Sequence, residues 1–468
     1  MSEPSKSPLQ TAISLSVFRN SITIGGAFLA TVSVLLFLTF LATEFFGLAV
    51  HANPYLGIIF FIIMPSLFVV GLVAIPAGAW FERSRRLRGR APSLATWPRL
   101  DLNDPVLRGV FVVVAVLTPV NILIVSTAAY KGVESMDSVG FCGQVCHEAM
   151  EPEFVAYQNG PHSRVRCVAC HIGPGAGWFV KSKLSGARQV YAVLVNSHSR
   201  PIESPVHDLR PARETCEQCH WPTQFHGDKL ETRHEFAEDE TNTESVTTLR
   251  LSIGGVDAGG KPRGIHWHVA EQNAVEYIAL DLARQKIGYV KWTAADGKTH
   301  EYFAEGVTEA QLATGERRRM DCVDCHNRPS HIFARSAERA INDAMAAGAV
   351  AKDLPFIRRE AGVVLKAEYP DRATADAQIA GKLAAFYRDG YPALWASRQA
   401  DITQTIEALQ GLHRRNVFPA MKLTWGYHPD NRGHTEFPGC FRCHDDEHKT
   451  RDGLAIRQDC ELCHMIDE

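Results

Sequence analysis

Five cysteine pairs in the chain are each closed by a histidine at one spacing. They are Cys167/Cys170/His171, Cys216/Cys219/His220, Cys322/Cys325/His326, Cys440/Cys443/His444 and Cys460/Cys463/His464. The C-x-x-C-H spacing serves a specific chemistry. Two thiols add across the two vinyl groups of one haem, and the adjacent imidazole is then held at the iron. One copy alone would also read as a zinc or redox motif. Five copies, each with its histidine, point to haem c. A sixth pair, Cys142 and Cys146 before His147, is one residue wider, C-x-x-x-C-H. It uses the last two of the twelve cysteines, and Met150 follows, whose thioether is an acceptable iron ligand. The expectation is six haem c groups; a disulfide or unused thiols is the alternative for the sixth pair.

Each ordinary haem wants a second axial ligand. His331 follows His326 by five residues, His448 follows His444 by four, and His434 precedes Cys440 by six. Short loops would fix these beside a haem. His234 and the "GIHWH" pair, His266 and His268, lie in the long gap between the third and fourth standard-or-wide motifs counted from the N-terminus. On a strand, residues 266 and 268 share a face, and His268 is chosen; His226 is the runner-up to His234. His51, His198, His207, His300, His413 and His428 are assigned no ligand role.

The elements that must carry these motifs begin with a membrane third. Three apolar runs, Ser21–Leu48, Tyr55–Trp80 and Val106–Tyr130, are each long enough to span a bilayer. The first is too long for a signal peptide and two more follow, so it reads as a retained anchor. Arg83, Arg85, Arg86, Arg88 and Arg90 follow the second run, whereas His51–Pro54 after the first holds no Lys or Arg. The positive-inside rule then puts the N-terminus, with Lys6 and Arg19, in the cytoplasm, and residues 131–468 outside the inner membrane, in the periplasm. The lone histidine before 147 is His51, so the spans offer no ligands for a b-type haem. They are an anchor or help to shape a quinone site.

The run from Cys142 through His147 and Met150 to His162 and Cys167–His171, followed by the Lys-bearing segment Trp178–Val195, resembles the NapC/NirT/NrfH family of membrane-anchored multihaem quinol dehydrogenases. The likeness covers roughly residues 125–235. The three-span start and the tail, with "CHNRPSH" and "GCFRCHDDEH", are similar to larger inner-membrane cytochromes of that type. The resemblance implies that Met150, and not His147, binds the first haem, that its other face is left for quinol, and that His162 is a distal ligand. It also implies a quinol pocket pairing a Lys, here Lys181 or Lys183, with a carboxylate. No Asp or Glu occurs from Phe154 to Ile202, so Glu148, Glu151 and Glu153 stand in as candidates. Arg188 and Gln189 occupy the neighbourhood.

The expected fold is a membrane α anchor plus a haem-cored, mostly irregular and helical multihaem cytochrome c with a small antiparallel β insert. Residues 1–20 form the cytoplasmic N-terminus, 21–130 the three-helix anchor, and 131–235 a haem domain with haems 1–3. Residues 236–310 form the β insert and 311–468 a helical and haem-binding part with haems 4–6. The segment "VTTLRLSI", "GIHWHV", "AVEYIAL", "IGYVKW", an "ADG" turn and "HEYF" alternates like strands. Residues 332–412 have helical spacing and no cysteine. "GPGAG" at 173–177 reads as a turn, and Arg317–Arg319 as solvated charge. With 49 basic and 52 acidic side chains in 468 residues, net −3, nucleic acid is not an expected partner. The function expected is quinol oxidation, with electrons passed from the quinone pool to periplasmic cytochromes, a reductase or extracellular acceptors. The alternatives are a conduit subunit of a larger membrane complex, or a periplasmic terminal reductase with an open haem.

Overall fold

In the computed structural model the described residues are 20–45, 63–85, 88, 103, 105–173, 176–206, 210–220, 227–254, 261–270 and 272–467. The N-terminal basic residues Lys6 and Arg19, the loop His51–Pro54, Tyr55, Arg86, Arg90, His207 and His226 lie outside them. The chain divides into two units, Met1–Phe141 and Cys142–Glu468.

The first unit contains α1 (Ser21–Phe45), α2 (Met64–Arg85) and α3 (Pro105–Met136). Among the described residues two helical segments, Ile22–Phe40 and Met64–Arg85, are long and apolar enough to cross a membrane. With lipid as apolar as any side chain, two such helices associate through close backbone approach. Gly26 of α1 and Gly71 of α2 provide it. A Cβ on Gly71 would lie 2.7 Å from the Gly26 carbonyl oxygen, and one on Gly26 2.8 Å from that of Gly71. The Thr23 hydroxyl donates to the Ile75 carbonyl at 3.2 Å, holding the same seam. The helices also correct two boundaries. α2 continues past Trp80 to Arg85, and α3 continues past Tyr130 to Met136, through a Lys131–Glu134 pair at 2.7 Å.

The second unit opens with α4 (His147–Gln158) and, after the second motif, α5 (Ala176–Leu194). Two antiparallel sheets follow in place of the single insert expected at 236–310. The hairpin β1 (Gly227–Phe236) and β2 (Glu244–Gly254) begins earlier than expected. β3 (Ala274–Ala279), β4 (Ile287–Thr293) and β5 (Thr299–Phe303) match the alternating segments. β6 (Glu316–Arg319) joins β3 as an edge strand, giving the order β5-β4-β3-β6. "IHWHV" is not a strand: Ile265–Val269 is a 3-10 turn. Gly264 explains the departure. At φ 71 it turns the chain, and a Cβ there would sit 2.5 Å from the Ser252 carbonyl oxygen.

Four helices form a cysteine-free layer: α6 (Ala337–Ala346), α7 (Ile357–Lys366), α8 (Arg372–Gly390) and α9 (Gln399–Asn416). Ser336 and Asp371 cap α6 and α8 by accepting from Arg339 and Thr374 amides. Their apolar faces bury Ile341, Ile357, Ile379, Leu383 and Leu409 completely or nearly so, with Leu354 from the loop before α7. Each such burial contributes about 1.5–3 kcal/mol. The β1–β2 hairpin is pinned to this layer by Asn242, whose amide donates to the Lys352 and Leu354 carbonyls at 3.0 and 2.8 Å and accepts from the Arg358 amide at 2.9 Å. Last, β7 (His464–Asp467) pairs with β2, setting His464 opposite Leu251.

Candidate functional site

The local backbone already gathers each motif. In a helical turn, residues i, i+3 and i+4 share a face. The His220, His326 and His444 amides donate to the carbonyls of Cys216, Cys322 and Cys440 at 2.8, 2.8 and 3.0 Å, so each turn presents two thiols and an imidazole together. Cys167–His171 forms one short helix. The wider motif is built differently. Cys142 lies in the helical turn Val139–Gln144, and α4 starts afresh at His147. The extra residue therefore splits this motif between two helices, with the Met150 amide donating to the Cys146 carbonyl at 2.9 Å. All twelve thiols are free of disulfides.

Opposite each of the five standard motif histidines stands a second histidine. Ring centres are 6.1 Å apart for His171 and His331, and 6.1 Å for His220 and His162. They are 6.3 Å apart for His326 and His266, 5.8 Å for His444 and His268, and 6.0 Å for His464 and His434. Two imidazoles bound at about 2 Å to opposite sides of one metal place their ring centres roughly 6 Å apart. The residues thus fit a bis-histidine haem iron at all five places.

The ring nitrogens agree. Nδ1 donates to a backbone carbonyl in His162 (Pro329, 3.1 Å), His331 (Glu153, 2.9 Å), His266 (Ile253, 2.6 Å), His268 (Ile265, 2.8 Å) and His444 (Arg457, 3.0 Å). A carbonyl only accepts, so Nδ1 carries the proton and Nε2 keeps its lone pair for a metal. Burial also pushes His171, His266, His268, His326 and His464 below the usual imidazole range. The shift favours the neutral imidazole, the state a metal ligand needs.

Of the distal candidates read from sequence, His162, His268, His331 and His434 stand opposite motif histidines. His234 and His448 stand opposite no motif histidine among the described ring contacts. His234 Nδ1 is 2.7 Å from Glu244 on the neighbouring strand. His448 is buried with Nδ1 against Asp445 at 2.8 Å and Nε2 donating to the Ile287 carbonyl at 2.9 Å, so neither nitrogen is free. His266 takes the remaining place. A strand would have aimed His266 and His268 the same way. In a 3-10 turn, with about three residues per turn, side chains two apart diverge, and one turn addresses both His326 and His444. The signal was the doubled histidine of "IHWH" itself.

Neighbouring motifs lie near one another in chain order. The Cys142 thiol contacts Cys167 and the Cys216 thiol contacts Cys322. Cys170 senses Cys216 and Cys219, Cys325 senses Cys440, and Cys463 senses Cys440. The fourth and fifth motifs counted with the wide one as first are clamped by Arg442, which donates to the Asp324 carbonyl at 2.7 Å and the Arg284 carbonyl at 2.8 Å. The Asp324 carboxylate accepts from the Tyr277 hydroxyl at 2.6 Å and the Asp321 amide at 2.7 Å. Arg318, read as solvated, lies 3.4 Å from the same carboxylate.

The acids near α4 separate by environment. Glu153 is buried; burial works to raise its carboxyl, but Arg328 at 2.6 Å and His331 outweigh it and hold it low. Glu151 pairs with Arg372 at 2.8 Å. Glu148 is exposed and only loosely met by Arg200 at 3.7 Å. On α5, Lys181 lies over the Trp178 ring at 4.5 Å, and Lys183 is engaged elsewhere. No described contact joins Lys181 to Glu148 or Glu151. Leu184 and Tyr191, seven residues apart on one face of α5, are 70% and 67% exposed.

Residues 106–203 match the NapC/NirT cytochrome c family, N-terminal region. The chain is 40% identical over 449 residues to the cytochrome c-type protein ImcH of Geobacter sulfurreducens, covering 96% of this chain and 88% of that protein. No solved structure matches the chain.

Proposed function

Because the chain belongs to the NapC/NirT family of membrane-anchored c-type cytochromes, we propose that it takes electrons from a membrane quinol and hands them, one at a time, along six haem c groups to an acceptor outside the inner membrane. The observation that carries this reading is the set of five histidine pairs at 5.8–6.3 Å, each beside two free thiols. Haem bound there supplies one-electron carriers. The nearness of thiols in successive motifs supports a relay in chain order, from Cys142/Cys146 to Cys460/Cys463.

The residues divide the work. The twelve cysteines hold the haems covalently. His171, His220, His326, His444 and His464 are proximal ligands; His331, His162, His266, His268 and His434 are their partners. Met150 is the ligand at the first haem. That motif starts six residues after α3 ends, so quinol meets the relay there. Lys181 and Lys183 are the cations offered to the quinol oxygen. Glu148, exposed and loosely paired, is a better proton acceptor than Glu151 or Glu153, which are committed to Arg372 and Arg328. The apolar face of α5 suits the bilayer surface. The Lys and Arg asymmetry of the short loops supports a cytoplasmic N-terminus and a periplasmic haem domain.

With a histidine opposite each standard motif histidine, the terminal-reductase alternative finds no open iron among those five. Periplasmic cytochromes, a reductase or a larger membrane complex remain the partners of the relay. The test is reduction of the full-length protein by menaquinol and ubiquinol analogues. Met150→Ala is expected to slow reduction by quinol while leaving chemical reduction of the other haems intact. Unchanged quinol kinetics and an unchanged spectrum would place electron uptake elsewhere.

A further inference from the structure

For His162, His266, His268 and His444 the described partner at Nδ1 is a backbone carbonyl. His331 has more. Its Nδ1 lies 2.9 Å from the Glu153 carbonyl oxygen and 3.3 Å from the Glu153 carboxylate oxygen Oε2. One residue of α4 thus offers this imidazole both a neutral acceptor and a full negative charge.

The charge is held in place. The Glu153 side chain is 15% exposed. Arg328 donates to the same Oε2 at 2.6 Å, to the His331 carbonyl at 2.9 Å and to the Ser204 hydroxyl at 3.2 Å. One guanidinium therefore ties the carboxylate to the segment that carries the imidazole. Glu153 also borders a small cavity whose other walls, His428 apart, are Ala149, Pro152, Pro201, Ile202, Met421 and Leu423. Such apolar walls screen a charge weakly. Arg328 offsets the carboxylate only in part at the ring, because no described hydrogen bond or ion pair joins Arg328 to the His331 imidazole. The Glu153 charge also reaches His171, the other imidazole of the pair.

A carboxylate beside the Nδ1–H of a metal-bound imidazole raises the basicity of the nitrogen on the metal. A more basic ligand and a nearby anion both favour the oxidised iron, which carries one more positive charge. We propose that Glu153 is a positioning residue that acts through His331 and holds the haem on Cys167 and Cys170 at a lower potential than a carbonyl partner alone would give. The proposal rests on the haem reading above, at a pair whose 6.1 Å ring separation fits one iron. It gives Glu153 a task that a carboxylate committed to Arg328 can perform, unlike accepting a proton from quinol. A lowered second carrier is more often oxidised, and so free to accept, when the first haem passes an electron on.

The test uses the full-length protein in detergent at pH 7. Peptide mass locates the haems, electron paramagnetic resonance reports spin state, and a spectroelectrochemical titration resolves the reduction waves. Glu153→Gln keeps the shape and removes the charge. It is expected to move one wave upward, by about tenfold in the ratio of reduced to oxidised haem, or about 59 mV for one electron. No haem is lost and no new high-spin signal appears. His331→Met raises the potential of the haem that it serves, and it should displace the same wave. Glu338→Gln removes an equal charge from a pair with Lys366 in the helical layer, and it should displace none. Replacing Glu153 and Arg328 together by leucine removes the buried pair without stranding the guanidinium. That double variant decides the matter if Glu153→Gln fails to assemble, and the same wave should rise by less. Every wave unmoved in whichever of these two variants assembles overturns the proposal. So does a shift in a wave that His331→Met leaves alone, or an equal shift in Glu338→Gln. A parent with Cys167 and Cys170 unmodified overturns the haem reading itself, whatever the waves do.

Discussion

His266 and His448 were ranked oppositely by sequence and by structure, and a paired substitution separates them. His266 faces His326 at 6.3 Å with ring planes 5° apart, and its Nδ1 is fixed by the Ile253 carbonyl. On the proposed ligation, replacing it with alanine would remove one of two ligands from one iron and leave the other four pairs in place. The expected outcome is one haem in six turned from low to high spin, with the low-spin form restored by added imidazole. His448 is 2% exposed and spends both nitrogens on protein, Asp445 on one side and the Ile287 carbonyl on the other. His448→Ala leaves the Ile287 carbonyl at the buried end of this link without its donor, at about 1–3 kcal/mol, and the half-buried Asp445 carboxylate with one donor fewer, so a loss of about 1–3 kcal/mol is expected. Its haem spectrum should match the parent. The assays are electron paramagnetic resonance for the first variant and denaturant unfolding followed by tryptophan fluorescence for the second. A low-spin, fully ligated His266→Ala protein, or a high-spin haem in His448→Ala, would refute the argument from ring separation.

A reporter fused after Arg90 should act as cytoplasmic and one after Glu468 as periplasmic; the reverse pattern would refute the charge argument for orientation. Burial, with Arg328 adding its charge, pushes His428 down to about 4. Between about pH 6.5 and 4 the unfolded chain binds a proton that the folded chain refuses, so stability falls as pH drops through that window, by up to about 3 kcal/mol. His428→Phe should flatten that dependence in unfolding curves taken at pH 7 and pH 5, and an undiminished slope would assign it to other groups.

The motif turns were legible because their geometry is local: two thiols and an imidazole within one helical turn need no distant information. The helical layer at 332–412 was legible for the same reason, since its apolar spacing is a property of each segment. Distal ligands were harder. His331 and His434 lie near motifs, but they pair with His171 and His464, not with the motifs that their proximity picks out. Nearness in sequence found the residues and not the partners. His448 was misread because four residues from a motif histidine is also the right reach for a bond to Asp445 within the same loop. The turn at Ile265–Val269 was misread because "GIHWHV" alternates like a strand. What bends it is Gly264 pressed against Ser252, a contact between segments that no local pattern carries. The strands β6 and β7 were missed because three arginines and a chain terminus make poor strand signals until a neighbouring edge recruits them.

The interlacing of the histidine pairs has a consequence for how the protein matures. The chain emerges from its N-terminus, and thioether attachment needs only a local motif. Coordination needs both histidines. His162 precedes His220, His266 precedes His326, His268 precedes His444 and His434 precedes His464, so each of these four irons would be complete once its own motif has appeared. A haem held on Cys167 and Cys170 would be the exception, because the histidine opposite His171, His331, lies beyond two further motifs. It would wait, attached but half-ligated, until most of the outer chain is delivered. A chain truncated anywhere between the third and fourth attachment sites would therefore not yield a shorter working relay. It would yield one with a reactive iron at its second position, one step from the membrane.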